Sequence, residues 1–173
     1  MPVACAMAAA PLSGPGFADF DLLGPIPFDR SMVRVLTELS RSAFSSAGLV
    51  NLNRVYATGG SSGGLFCYRL AKDTKLFAAI GPTKCGMIKG SHEPDSSTEP
   101  LSVMQVIGNE DKSFNGSSKR LTMYSAEQRI ETWRSFLKCY PKPSINTKIK
   151  GMTVKTYVND KEHEVVYCML HGV

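Results

Sequence analysis

Short apolar blocks, each ending in glycine or acidic residues, set the rhythm of this chain. Arg54-Val55-Tyr56-Ala57-Thr58 is β-branched and aromatic, and it predicts a buried strand that stops at Gly59-Gly60. Phe77-Ala78-Ala79-Ile80-Gly81 predicts a second strand. A third is predicted over Leu101-Ser102-Val103-Met104-Gln105-Val106-Ile107, running out into Gly108-Asn109-Glu110-Asp111. Between the first two, the stretch from Leu65 to Lys72 has no Gly or Pro and is long enough for two helical turns. Ser125-Ala126-Glu127-Gln128 fits a capping box, and Ala126, Ile130, Trp133 and Leu137 follow it as an apolar stripe at helical spacing. Residues 152–158 and 164–170 predict two more strands joined by a polar turn, and residues 89–100 read as a polar loop. Upstream, Met32, Leu36 and Leu39 share one face after Asp29, a candidate N-cap, which predicts an amphipathic helix. Residues 1–28 are rich in Ala, Gly and Pro without a period and read as irregular. Strands alternating with helices imply an α/β fold with a mostly parallel central sheet flanked by helices, its single domain spanning residues 29–173.

The candidate chemistry lies where these strands end. Gly59-Gly60-Ser61-Ser62-Gly63 fits G-x-S-x-G, with a strand before it and a helix after it, which is the context of a nucleophile elbow. In that turn Ser61 is the nucleophile, held in strained backbone geometry with its hydroxyl exposed. The backbone N–H of Ser62 is a donor for the oxyanion that forms on attack. A serine hydroxyl needs an imidazole to take its proton, and the imidazole needs a carboxylate to fix its tautomer. Asp111 follows the third strand and is the favoured acid, with Glu110 in the same loop as the alternative. His171 is the one histidine at a strand end, and the order Ser61, Asp111, His171 is that of an α/β-hydrolase. His92 and His163 fall in polar turns and are expected to be solvated. A triad of this kind places Ser61 and Asp111 at one sheet edge, roughly 6–9 Å apart with a ring between them.

Composition narrows the alternatives. With 173 residues, 43% hydrophobic and 20% charged, the chain can bury a core, and no apolar run is long enough to cross a bilayer. The net charge of +5 is concentrated after residue 111, but the lysines there are scattered without an aromatic stacking platform. A solvated basic surface fits that pattern better than a nucleic-acid face. The five cysteines show no C-x-x-C spacing, and no motif calls for a metal or a cofactor. In an oxidising compartment Cys85, Cys139 and Cys168 could supply one disulfide, with the pair left open, and Asn115-Gly116-Ser117 would be a glycosylation sequon. The apolar N-terminus has no basic residue before Arg30, so it makes a poor secretory signal.

The segment from Val55 to Leu65, followed by Tyr68-Arg69-Leu70-Ala71, resembles the elbow of the poly(3-hydroxybutyrate) depolymerase and feruloyl/acetylxylan esterase family of secreted α/β-hydrolases. Phe77-Ala78-Ala79-Ile80 is similar to the strand after that family's elbow helix. Val106-Ile107-Gly108-Asn109-Glu110-Asp111 resembles its acid-bearing segment, with Ile107-Gly108 where His-Gly is usual. The helix with Trp133 and the following Cys139 resembles its E-x-x-x-x-W…C helix. The resemblance spans about residues 29–173. It implies a partial α/β-hydrolase fold lacking its early strands, an extracellular setting, and hydrolysis of polyhydroxyalkanoate-type or polysaccharide-linked acyl or feruloyl esters. It supports Ser61 and Asp111 as site residues. In that family the closing strand runs into G-x-G-H, and aligning Gly172-Val173 with its first half puts the base beyond residue 173, with His171 a neighbour. No early His-Gly loop precedes Asp29, so the resemblance implies a fragment truncated at both ends. Two readings follow: a serine esterase acting on carboxylic esters, or a catalytically silent hydrolase-like domain that binds a ligand or partner through the same pocket.

Overall fold

The computed structural model of the chain describes residues 54–116 and 122–173. The predicted helix after Asp29 and the irregular segment 1–28 lie outside the described residues. In chain order the elements are β1 (Tyr56–Gly60), α1 (Ser62–Asp73), β2 (Ala79–Thr83), β3 (Ser102–Gly108), α2 (Ala126–Phe136), β4 (Ser144–Asn146), β5 (Met152–Val158) and β6 (Glu164–Leu170). All six strands join one sheet in the order β1-β2-β3-β6-β5-β4. Strands β1, β2, β3 and β6 run parallel, while β5 and β4 extend the sheet antiparallel beyond β6. The α/β class and the largely parallel sheet agree with the sequence pattern.

Two strand boundaries differ from the predicted ones. Both β1 and β2 begin about two residues late and run through residues that usually end strands. Gly59 pairs with Pro82 and Gly60 with Thr83, so inter-strand registry outweighs the local breaking tendency of Gly and Pro. Pro82 has no N–H to give, and the β2–β3 pairing steps from Ile80–Val103 to Thr83–Val106 across it. The short β4 is wholly exposed, its central Ile145 included, and it exists because Ser144–Asn146 pairs with β5.

Both helices lie against the parallel part of the sheet, α1 on β1 and β2, α2 on β6 and β3. They meet through Tyr68 and Trp133, whose rings stack with centroids 6.3 Å apart. The predicted stripe of Ala126, Ile130, Trp133 and Leu137 is buried throughout. Its helix starts with the expected capping box: Gln128 N–H donates to Ser125 Oγ at 3.2 Å, and Ser125 N–H donates to Gln128 Oε1 at 3.0 Å. Because β1, β2, β3 and β6 point the same way, the residues that follow them collect at one edge of the sheet. Those residues are Ser61, Lys84, the loop 109–111 and His171.

Candidate active site

Ser61 is the single residue between β1 and α1. Its backbone sits at φ 53, ψ −119, a region that strongly favours glycine. The turn is pinned on both sides: Ser61 N–H donates to the Thr83 carbonyl at 3.0 Å, and the Ser61 carbonyl accepts from Gly64 and Leu65. Gly59 is required by contact, since a Cβ there would stand 2.6 Å from the Gly63 carbonyl carbon. A Cβ on Gly64 would fall 2.4 Å from the Cys85 sulfur. By contrast, a Cβ on Gly60 would meet Thr83 Oγ1 at 3.4 Å, an ordinary contact, so that glycine is not demanded by space. Serine at an N-cap normally accepts from the first helical turn, yet the exposed Ser61 side chain makes no capping bond. No acidic residue occupies the first turn of α1, so its free N–H groups, Ser62 among them, face an uncompensated positive end. Strain of this kind costs about 1–3 kcal/mol. Ser61→Gly should therefore raise unfolding free energy by about 1 kcal/mol after glycine's entropic cost, whereas Ser61→Ala should not. Urea denaturation of the two variants checks this.

Asp111 lies in the loop after β3, partly buried. Its Oδ1 accepts from the Ser113 N–H at 2.8 Å and from Ser113 Oγ at 2.6 Å. No donor among the described residues reaches Oδ2. Glu110 is exposed, and its N–H is tied to the Val173 carbonyl. Of the two carboxylates in this loop, Asp111 is half-buried and Glu110 faces solvent. One strand, β2, separates β1 from β3, so the two strand ends are about 10 Å apart at a spacing of about 4.8 Å. Cys85, from the loop after β2, occupies the ground between: its sulfur abuts Gly64, and the Asp111 carboxylate contributes to its raised pKa.

The structure does not bring a histidine into the ground between Ser61 and Asp111. His171 follows β6, but its Nε2 lies 2.9 Å from Thr153 Oγ1 on β5, on the side of β6 away from β3. Four strand spacings, about 19 Å, separate β1 from β5. The order Ser61, Asp111, His171 along the chain is thus not a triad in space, because the ring turns toward the antiparallel extension of the sheet. His163 sits in the β5–β6 turn, at the opposite end of β6. The expectation of solvated turn histidines fails for both His92 and His163. His163 is half-buried with Nδ1 shielded, and His92 is only 4% exposed. Packing of the 84–99 loop onto α1 buries His92, with Arg69 donating to the Ser91 carbonyl and hydroxyl. Arg69 lies two turns, about 12 Å, along α1 from Ser61, so His92 is remote from the elbow.

Burial, reinforced by the Arg69 guanidinium, pushes the His92 pKa down to about 4 from 6.5. Between those two values the unfolded chain holds the extra proton, so stability is intact above about pH 6.5 and falls as pH drops toward 4. The expected loss is on the order of 2 kcal/mol. His92→Leu should flatten that part of the pH–stability curve measured by urea denaturation.

Cys67, Cys85, Cys139 and Cys168 are all buried and unpaired. Burial holds the Cys67 and Cys85 thiols up at about 12, so neither is a thiolate nucleophile at neutral pH. Among the described residues no group of three His, Cys, Asp or Glu side chains is placed to hold a metal. No helix among them is long and apolar enough to cross a membrane.

One residue at this edge was missed in the sequence. Arg129 is fully buried on α2, and its guanidinium reaches Gln105 on β3 and the carbonyls of Ser113 and Tyr124. The signal was present: position 129 falls within the stripe of Ala126, Ile130 and Trp133, so a charge there faces the core.

No family model matches the chain, and no curated protein matches it. Its class rests on fold and site: an α/β protein with a largely parallel sheet and a strained serine between the first described strand and its helix.

Proposed function

We propose that this chain is a serine hydrolase of carboxylic esters, with Ser61 as nucleophile, the Ser62 N–H as an oxyanion donor and Asp111 as the acid of a Ser-His-Asp arrangement. The observation that carries the reading is the backbone of Ser61. A non-glycine residue held at φ 53 between a strand and a helix, with its hydroxyl exposed and unused as a cap, stores strain that the fold does not need for stability. Such strain is a hallmark of a side chain presented for chemistry. The resemblance at the elbow and the Asp111 segment extends the proposal to acyl, feruloyl or hydroxyalkanoate esters as the substrate class. The part-buried Asp111, with one oxygen held by Ser113 and the other without a donor among the described residues, suits the acid of such a site.

One observation favours a second reading, a hydrolase-like domain that binds without turnover. No histidine among the described residues stands between Ser61 and Asp111. Covalent trapping tests the esterase reading: once a histidine is supplied beyond Val173, an alkyl fluorophosphonate must add to Ser61. Binding of an ester analogue with no adduct at Ser61 would favour the silent domain.

A further inference from the structure

Arg129 is a buried cation that the esterase reading does not use. None of its surface is exposed, and it forms no ion pair with any carboxylate among the described residues. Burying a guanidinium without a counter-charge is costly, and an apolar side chain of similar size would pack the α2 stripe at lower cost. The charge is spent instead on three neutral oxygens from three segments. Nε donates to Gln105 Oε1 at 2.8 Å, while NH1 donates to the Tyr124 carbonyl at 2.7 Å and the Ser113 carbonyl at 3.2 Å.

The Ser113 contact carries the consequence. Ser113 is the residue whose N–H and hydroxyl both bind Asp111 Oδ1. Arg129 therefore grips from behind the one residue that grips the carboxylate. The Ala126 N–H, donating to the Phe114 carbonyl at 2.8 Å, fastens the same loop to the start of α2. On the other side, Gln105 Oε1 also accepts from the Tyr68 hydroxyl at 3.0 Å, and Tyr68 lies on α1, the helix that begins at the elbow. Tyr68, Gln105 and Arg129 are all essentially excluded from water, which strengthens each of these bonds, while Gln105 Nε2 and Arg129 NH2 have no partner among the described residues. The network runs without a gap from the nucleophile's helix, through β3, to the holder of the acid.

We infer that Arg129 is a positioning residue, setting the Asp111 carboxylate through Ser113 and referring it to the Ser61 helix through Gln105 and Tyr68. The catalytic meaning of this rests on the proposed esterase function, whereas the positioning itself can be read directly. Lysine at 129 keeps the charge but lacks the planar fork, so it cannot serve Gln105 Oε1 and both carbonyls together.

The test is nuclear magnetic resonance of the 173-residue chain, labelled with nitrogen-15. The Ser113 amide proton, bonded to a carboxylate, should exchange slowly and lie downfield, and Asp111→Asn should remove that downfield shift. In Arg129→Lys, shown to be folded by protected amides in β3 and β6, the Ser113 amide should exchange at least ten-fold faster and lose most of that downfield shift. An unchanged Ser113 signal in folded Arg129→Lys overturns the inference. So does a wild-type Ser113 amide that exchanges as fast as an exposed turn, a measurement that stands if the variant does not fold. The Ser113 readout is independent of turnover. Its loss in Arg129→Lys with no adduct at Ser61 supports the positioning and removes only the esterase reading. Its persistence with Ser61 labelled overturns the positioning and leaves the esterase reading standing.

Discussion

Exposed to an alkyl fluorophosphonate, the chain supplied with a histidine beyond Val173 should gain one adduct, on Ser61, and Ser61→Ala should abolish it. The expectation follows from what surrounds the Ser61 hydroxyl and six others. The Ser113, Ser97 and Ser135 hydroxyls donate to carboxylates of Asp111, Asp95 and Glu131. The Ser91, Ser102 and Ser125 hydroxyls accept from Arg69, Glu164 and Gln128. The Ser61 hydroxyl makes no bond among the described residues and stands at the free N–H end of α1, where a developing phosphonate oxygen is stabilised. Removing one oxyanion donor in well-studied hydrolases costs about 10²–10³ in rate, so a serine with such donors should outpace one without them by a similar factor. Tryptic mapping of the adduct decides the matter. Label on another serine, with Ser61 free, would sink the elbow assignment. Ser62→Ala should label nearly as well as the parent, because the donor at that position is backbone.

Much of this site was legible because its signals are local. The elbow needs glycines that let β1 approach α1, and Gly59 against Gly63 shows why the pattern is specific. The Ser125–Gln128 box and the α2 stripe are likewise properties of a few adjacent residues. The two strands β5 and β6 stand where their β-branched runs predicted them. What was not legible depends on partners far away in sequence. Registry across β1 and β2 carries Gly59, Gly60 and Pro82 into strands, and no local rule favours that. His92 looks like a loop residue until α1 closes over it. The direction of His171 was also hidden, because it depends on whether the ring finds Thr153, eighteen residues upstream on β5. Resemblance supplied the esterase chemistry, and the strained Ser61 is the physical fact in the structure that bears on it.

A short tail carrying Gly-His, added after Val173, should raise p-nitrophenyl acetate hydrolysis by roughly two to four orders of magnitude. The path of the last residues motivates this. After β6 the chain turns back across the end of β3: Gly172 N–H donates to Asn109 Oδ1 at 2.8 Å, and the Val173 carbonyl accepts from Glu110 N–H at 2.9 Å. The contact with β3 is close, since a Cβ on Gly108 would stand 1.9 Å from that carbonyl oxygen. Val173 is therefore one strand nearer to β1 than β6 is, and it abuts the loop that carries Asp111. Two added residues span up to about 7 Å, enough to put an imidazole over the gap of about 10 Å between the ends of β1 and β3. There it can take the Ser61 proton while Asp111 Oδ2 fixes its tautomer. Ser61→Ala in the extended chain should remove the gain entirely, and Asp111→Asn should remove most of it by freeing the ring to adopt the wrong tautomer. A Gly-Ala tail is the control. If it activates as well as Gly-His, the gain is structural and no base has been supplied. If instead the 173-residue chain hydrolyses the ester at full rate and His171→Ala kills it, then His171 leaves Thr153 in solution and is itself the base.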